Sequence, residues 1–263
     1  MNIFFRELKA YRKSLFFWCL GMLFLVGSGM AKYASIKGDS KAVIDLMAQF
    51  PKSIQTIFGL TGFDLTTASG YYGVLFMYIA LMAAVHAVLI GAGIIAKEEL
   101  GRTSEFLFVK PLSRLEIMVE KLTAGLCNLI VLNLVTFVVS LYSIYYFSGE
   151  MFYDDLAVLM EGLFLLQLIF FFVGTMMAAV CKKSRLSTTI AASVMLLTFI
   201  LTMFVNLSEK FDWLKYFTPF KYFEARQLMT SGLDLTYLLI TGFLIGRYLM
   251  IIRVFVSAST LLT

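Results

Sequence analysis

Apolar residues in this chain fall in long unbroken runs, with neither the strict alternation of a half-buried strand nor the narrow stripe of a soluble helix. Six such runs stand out, at about 15–35, 71–96, 122–147, 156–180, 188–207 and 235–255. About 20 apolar residues suffice for a helix to cross a bilayer, so each run predicts one transmembrane helix. Two longer polar intervals, 36–70 and 208–234, separate the first run from the second and the fifth from the sixth. The remaining connections are short. The predicted class is all-α: a polytopic integral membrane protein with six transmembrane helices forming a single domain over 1–263.

The segment before the first run has a different pattern. Within 1–14 and just beyond it, Phe4, Leu8, Tyr11 and Leu15 recur at helical spacing, while Arg6, Glu7, Lys9, Arg12 and Lys13 fill other positions. This predicts an amphipathic helix lying in the inner interface; a basic anchoring flank is the plainer reading. A basic stretch ahead of an apolar run also fits a secretory leader. The run is long for one, and its loss would leave an odd number of spans, so it is expected to remain as the first span.

Composition strengthens this picture. Residues of the set AVILMFWYC make up 60% of the 263 and charged residues 15%, with a mean hydropathy of +0.86. Soluble chains are about 25% charged, and a soluble domain of this length cannot hide so much apolar surface. The net charge of +5 acquires meaning once it is divided by loop. With the N-terminus inside, the inner segments hold fourteen basic residues against six acidic ones, and the outer segments eight against ten. Glu161 is the one carboxylate within a predicted span. The bias obeys the positive-inside rule and puts both termini in the cytoplasm. The positive charge is thus a topology signal, and no nucleic-acid partner is expected. Cys19, Cys127 and Cys181 lie in or beside apolar runs without metal-ligand spacing and read as small packing residues.

The inner segment 97–121, KEELGRTSEFLFVKPLSRLEIMVEK, is the most informative. Ser113 and Glu116 form a capping box, with Leu112 and Ile117 at the hydrophobic-staple positions. The third span is therefore expected to begin below the membrane. Phe106-Leu107-Phe108-Val109 is an apolar island among charges, bounded by Gly101 and Pro111. An exposed apolar run of this kind marks a contact surface. It predicts a short helix that inserts Phe106 and Leu107 into a soluble partner; dipping into the lipid interface is the other reading.

Glu98-Glu99-x-Gly101-Arg102-Thr103-x-Glu105-Phe106-Leu107, followed by Lys110-Pro111-Leu112-Ser113-Arg114, resembles the loop between spans 2 and 3 of ABC-2 type permeases. The stretch Trp213–Phe223 resembles the segment that precedes the last span in that family, and the likeness extends over the whole chain in topology. The resemblance implies the membrane-spanning subunit of an ABC exporter: two six-span subunits, as homodimer or heterodimer, on two cytoplasmic ABC ATPase subunits. It implies that 97–121 is the coupling loop docking on the ATPase, through Glu98, Glu99, Arg102, Thr103, Glu105, Phe106, Leu107, Lys110 and Arg114. It also implies that 208–234 forms re-entrant or interfacial outer helices. The sequence has no GxxxxGK[ST] phosphate loop, so ATP and Mg are expected on the partner, with no cofactor on this chain and no enzyme activity of its own. The end 254–263 is short and uncharged, which leaves no room there for a fused ATPase.

Glu98-Glu99 near Arg102 is also similar to the EExxxR helix of intramembrane metalloproteases. The spacing is one residue short, and His86 is the single histidine, so a metal site is not expected. His86 lies in mid-span with Tyr78 and Met82 on one face, and Thr198, Thr202 and Asn206 share a face of the fifth span. The resemblance places spans 2 and 5 along the translocation path, so these six residues are candidate path residues for an amphipathic substrate. The plainer reading is a neutral His bonded to a neighbouring helix, with hydroxyls bonded to their own preceding carbonyls. Glu161 is expected to snorkel outward or to pair with Lys215 or Lys221. Asn133, Thr136 and Ser140 in span 3, and Gly242-x-x-x-Gly246 in span 6, read as helix-packing positions.

The expected function is export of a hydrophobic or amphipathic substrate, such as a toxin or antimicrobial peptide or a lipophilic drug, across the cell membrane. Two alternatives stand beside it. An ATP-independent secondary transporter would pair charges at the midplane. A non-transporting anchor or sensor would need no path.

Overall fold

A computed structural model describes residues 3–37, 49–101, 114–181, 184–207 and 209–258. Most of the described residues are helical, with no strand among them. Six helices are long and apolar enough to cross a membrane: α1 (Ile3–Lys37), α3 (Ala68–Gly101), α4 (Arg114–Ser148), α5 (Tyr153–Val180), α6 (Ser184–Leu207) and α9 (Leu235–Ala258). Between them lie α2 (Lys52–Ile57), a 3-10 segment Glu209–Phe217, and the short helices α7 (Pro219–Tyr222) and α8 (Ala225–Ser231).

The long helices exceed the predicted runs by a few residues at most ends, because apolar length marks the membrane crossing and not the helix. The largest extension is in α1, which runs without a break from Ile3 to Lys37. The amphipathic stretch is therefore, over residues 3–14, continuous with the first span, with no turn between them. Its buried face carries Ile3, Glu7 and Tyr11, and Glu120 of α4 accepts a hydrogen bond from the Phe4 backbone N–H at 3.2 Å. At the opposite end of α1, Lys37 Nζ donates to the Ser148 carbonyl at 2.9 Å and lies 3.9 Å from Glu150.

The core of the bundle is the pair α3–α5, whose apolar windows are the most buried of the six. The two helices cross where each has a glycine. A Cβ on Gly91 would lie 2.1 Å from the Phe171 carbonyl oxygen, and one on Gly174 would lie 2.4 Å from that of Val88. Small residues permit this backbone approach, and dispersion then rewards it in a solvent that gives no hydrophobic drive. Tyr72 of α3 donates to Ser140 of α4 at 2.6 Å, and Thr136 returns its hydroxyl to the Leu132 carbonyl at 2.8 Å. Those two span-3 positions are interior to the fold. Gly242 and Gly246 behave otherwise: a Cβ on either would meet open space. α9 packs through Tyr237, Thr241 and Ile252, a face turned away from the two glycines, so they pack nothing among the described residues.

Candidate functional site

The outer interval folds inward. Pro219, whose fixed φ suits the first turn of a helix, opens α7, and Thr218, Pro219, Phe220 and Tyr222 are buried. The Phe220 ring sits between Phe170 of α5 and Phe199 of α6, with centroids 5.1 and 5.2 Å away. Both neighbours lie within helices long and apolar enough to span. The Thr202 and Thr218 hydroxyls are hydrogen-bonded to each other, which fixes the entry of this segment against α6. Tyr222 donates to the Tyr216 carbonyl and stacks on Tyr237 of α9, ring centroids 4.7 Å apart. α8 packs Leu228 into the space left by Gly162 of α5, where a Cβ would lie 2.5 Å from the leucine methyl.

Beneath this segment is an apolar cavity of about 60 Å³ between α3 and α6. Its walls are Gly73, Phe76, Met77 and Ala80 of α3, Phe199, Thr202, Met203 and Asn206 of α6, and Phe220 and Phe223. Ile57, Gly59 and Phe63 close it from the other outer interval. Gly73 is needed because the Phe63 ring lies where its Cβ would be, at 2.3 Å. Gly59 has φ +69°, a backbone conformation that side chains disfavour.

A wider cavity of about 560 Å³ sits beside the first and shares Thr56, Gly59, Phe63, Asn206 and Glu224 with it. Its lining adds Lys221, Arg226, Gln227 and Thr230. Lys221 is ion-paired with Glu224 and donates to Asn206 Oδ1 at 2.6 Å, while the Asn206 amide donates to Glu224 Oε1 at 3.3 Å. The three side chains form a closed triad between α6 and the inward-folded segment. The arrangement is amphipathic: aromatic and apolar below, charged and hydrogen-bonding at the mouth.

The predicted path residues divide. Thr202 and Asn206 line the cavity. Thr198 lies one turn further in and gives its hydroxyl to the Met195 carbonyl at 2.8 Å. Tyr78, Met82 and His86 lie on the opposite face of α3. Met82 occupies the space over Gly21 of α1, its Cε 2.4 Å from where a Cβ would be. His86 is fully buried with its ring 5.4 Å from Trp18 of α1, and neither ring nitrogen has a hydrogen-bond partner. The expected bond from His86 to a neighbouring helix is therefore absent among the described residues. The α3 wall of the cavity, Gly73, Phe76, Met77 and Ala80, escapes sequence reasoning because its members are small or ordinarily apolar. Glu161 is not paired with Lys221, which is committed to Glu224, and the described contact of Lys215 is with the Tyr216 ring at 5.5 Å.

At the inner side, Glu98 and Glu99 lie in the last turns of α3 and Arg114 opens α4. The start of α4 at 114 agrees with the helix start that the Ser113–Glu116 pattern predicts, and α3 is helical over 97–101 as well. Arg102, Thr103, Glu105, Phe106, Leu107 and Lys110 lie outside the described residues. The flanks are tied above them, since the buried Lys121 of α4 donates to the Ile94 carbonyl of α3 at 3.1 Å.

The family described as ABC-2 family transporter protein matches residues 1–262. The chain belongs to the ABC-2 transporter family. No curated protein matches it. Membership makes the chain a permease subunit of an ABC transporter, a multi-pass membrane protein that works with a partner ATPase. In this ABC-2 permease the matched region extends over every span and both cavities.

Proposed function

We propose that this permease exports a hydrophobic or amphipathic substrate outward, with the α3–α6 cavity and its polar mouth as the outer part of the path. The observation that carries the reading is the division of that cavity. Phe76, Met77, Phe199, Phe220 and Phe223 offer apolar contact, and Asn206, Lys221, Glu224 and Arg226 stand at the mouth. An apolar side chain or acyl segment leaving the bundle meets the aromatic wall first and the charged groups last. Peptides with apolar and charged residues together, such as toxins or antimicrobial peptides, fit this order, as do lipophilic drugs.

In this reading two copies, identical or from two related chains, stand on two ATPase subunits in the cell membrane. Those subunits hold ATP and Mg. The segment around Phe106 and Leu107 docks on the ATPase, and its movement reaches the cavity through α3, which contributes to both ends. Opening the path requires the Asn206–Lys221–Glu224 triad to separate or to swing away with α7.

The test is reconstitution of the permease with its ATPase in proteoliposomes. Candidate peptides, drugs and lipids are scored for stimulation of ATP hydrolysis and for ATP-dependent movement. Replacing Phe106 and Leu107 by Asp is expected to abolish ATPase co-purification. Survival of the complex and of its stimulated activity in that variant would reject the docking assignment. Transport without any ATPase would reject the energy source.

A further inference from the structure

Glu161 is a carboxylate within a candidate span that has no partner among the described residues. It lies within the candidate span of α5, eight residues after Tyr153, about 12 Å along the axis. Its side chain is exposed, and it has no hydrogen bond or ion pair among the described residues. It opens onto a groove of about 360 Å³ between α4 and α5, walled by Leu134, Phe137, Met160 and Phe164.

One other polar group reaches the groove. The Asn133 amide donates to the Met160 carbonyl at 3.2 Å and reaches Gln167 Oε1 at 3.5 Å. Gln167 is fully buried, and its Nε2 has no partner. A line of polar groups thus leads from the groove surface into the bundle interior, and no basic side chain lines the groove among the described residues.

An ionisable group on the membrane-facing side of a span is costly unless a partner answers it. The groove specifies that partner. The carboxylate demands a positive charge, the Phe137 and Phe164 rings present faces that attract cations, and the remaining walls accept apolar bulk. A phospholipid amine is held at the interface by its phosphate, whereas Glu161 lies inside the apolar run, five residues past its start near 156 and about 7–8 Å along the axis. The cation must be carried to that depth by an apolar body.

We propose that the α4–α5 groove is a lateral binding site for a lipophilic cation, an onium centre with apolar substituents, with Glu161 as its counter-ion and Phe137 and Phe164 as its ring walls. The site is separate from the α3–α6 cavity. It does not rest on the direction of transport, and its occupancy requires no ATPase.

The test is equilibrium binding of radiolabelled tetraphenylphosphonium to the full-length permease in phosphatidylcholine nanodiscs. A saturable component is expected, resistant to a neutral tetraphenyl analogue. Glu161→Gln is expected to weaken it by about tenfold or more, the loss of a counter-ion in a poorly solvated site. Glu161→Asp keeps the charge and is expected to retain it, and joint replacement of Phe137 and Phe164 by Ala weakens it several-fold. Matched thermal unfolding of Glu161→Gln and the unmodified protein shows that the fold is intact. The proposal is overturned if the unmodified protein shows no saturable binding, or if Glu161→Gln binds equally well. It is also overturned if Glu161→Cys crosslinks two copies across the groove, or if phosphatidylethanolamine abolishes binding by occupying the groove itself.

Discussion

Lys121 donates its ammonium to the backbone carbonyl of Ile94 at 3.1 Å, joining the two helices that lead into and out of the 102–113 segment. The lysine is buried at 3% exposure, so this charge-assisted bond is shielded from water. Lys121→Met keeps the apolar stem and removes the bond. It is expected to cost about 1.5–3 kcal/mol, read as a lower unfolding midpoint in nanodiscs. Substrate-stimulated ATP hydrolysis should fall more than ATPase binding, because the residues proposed to dock on the ATPase lie elsewhere. Equal losses of binding and stimulation would assign Lys121 to folding alone.

The α3–α5 crossing gives a steric prediction. Gly91→Ala places a methyl 2.1 Å from the Phe171 carbonyl oxygen, and backbone cannot yield as a flexible side chain does. Overpacking of this kind costs about 1–3 kcal/mol. Gly27→Ala on α1 is the matched control, since nothing lies within 4 Å of its Cβ position. The expected result is a depressed unfolding midpoint for Gly91→Ala and an unchanged one for Gly27→Ala.

Breaking the triad should loosen the inward-folded segment without unfolding the bundle. Lys221→Met leaves Glu224 facing Asn206 without its cation, while Glu224→Gln retains a hydrogen-bonding group. The larger effect is therefore expected from Lys221→Met, as faster hydrogen exchange over 218–225. The double variant should recover part of the loss, because the uncompensated charge is gone. Exchange that is equal in all three variants would remove the triad from the closing of this segment.

The turn into α3 carries a pH dependence. The Asp64 carboxylate accepts from the Thr66 hydroxyl at 2.7 Å and from its backbone N–H at 2.9 Å, and these bonds hold its pKa below the ordinary aspartate value. A folded pKa below the unfolded one means that the stabilisation is complete above the unfolded pKa, about 3.9, and disappears as pH falls through the folded value. Protection of the Thr66 and Gly70 amides, corrected for intrinsic exchange, should hold from neutral pH to about 5 and fall below about 4. Asp64→Ala should remove that dependence.

The spans were legible because hydrocarbon thickness dictates a length, and length survives in the sequence whatever the packing. The interior face of α3 was not. That helix is apolar all round, so the spacing of Tyr78, Met82 and His86 identifies a face without saying what it faces, and α1 is what it meets. The opposite face builds the cavity wall partly by omission, through Gly73 and Ala80. Thr202 and Asn206 stand out in the sequence as polar atoms on an apolar helix; Thr202 bonds the Thr198 carbonyl of its own helix at 3.0 Å, as the plainer reading expects, and also Thr218, while Lys221 and Glu224 partner Asn206. Glu161 could not be matched to a cation from sequence, since Lys221 finds a carboxylate three residues along its own segment.

The glycine contact between α3 and α5 also has a mechanical meaning. If Gly91 is the fulcrum, the arm to Gly101 is about 15 Å and the arm to Ala68 about 35 Å at helical rise. Rocking α3 as a stiff rod about that point moves its outer end more than twice as far as its inner end, and in the opposite sense. A displacement of about 2 Å at Gly101 becomes about 4 to 5 Å at Ala68 by the same proportion. A small push at the Gly101 end thus becomes, by leverage alone, about 3 Å at Met77 and more at Ala68, moving the α3 wall of the cavity relative to α6.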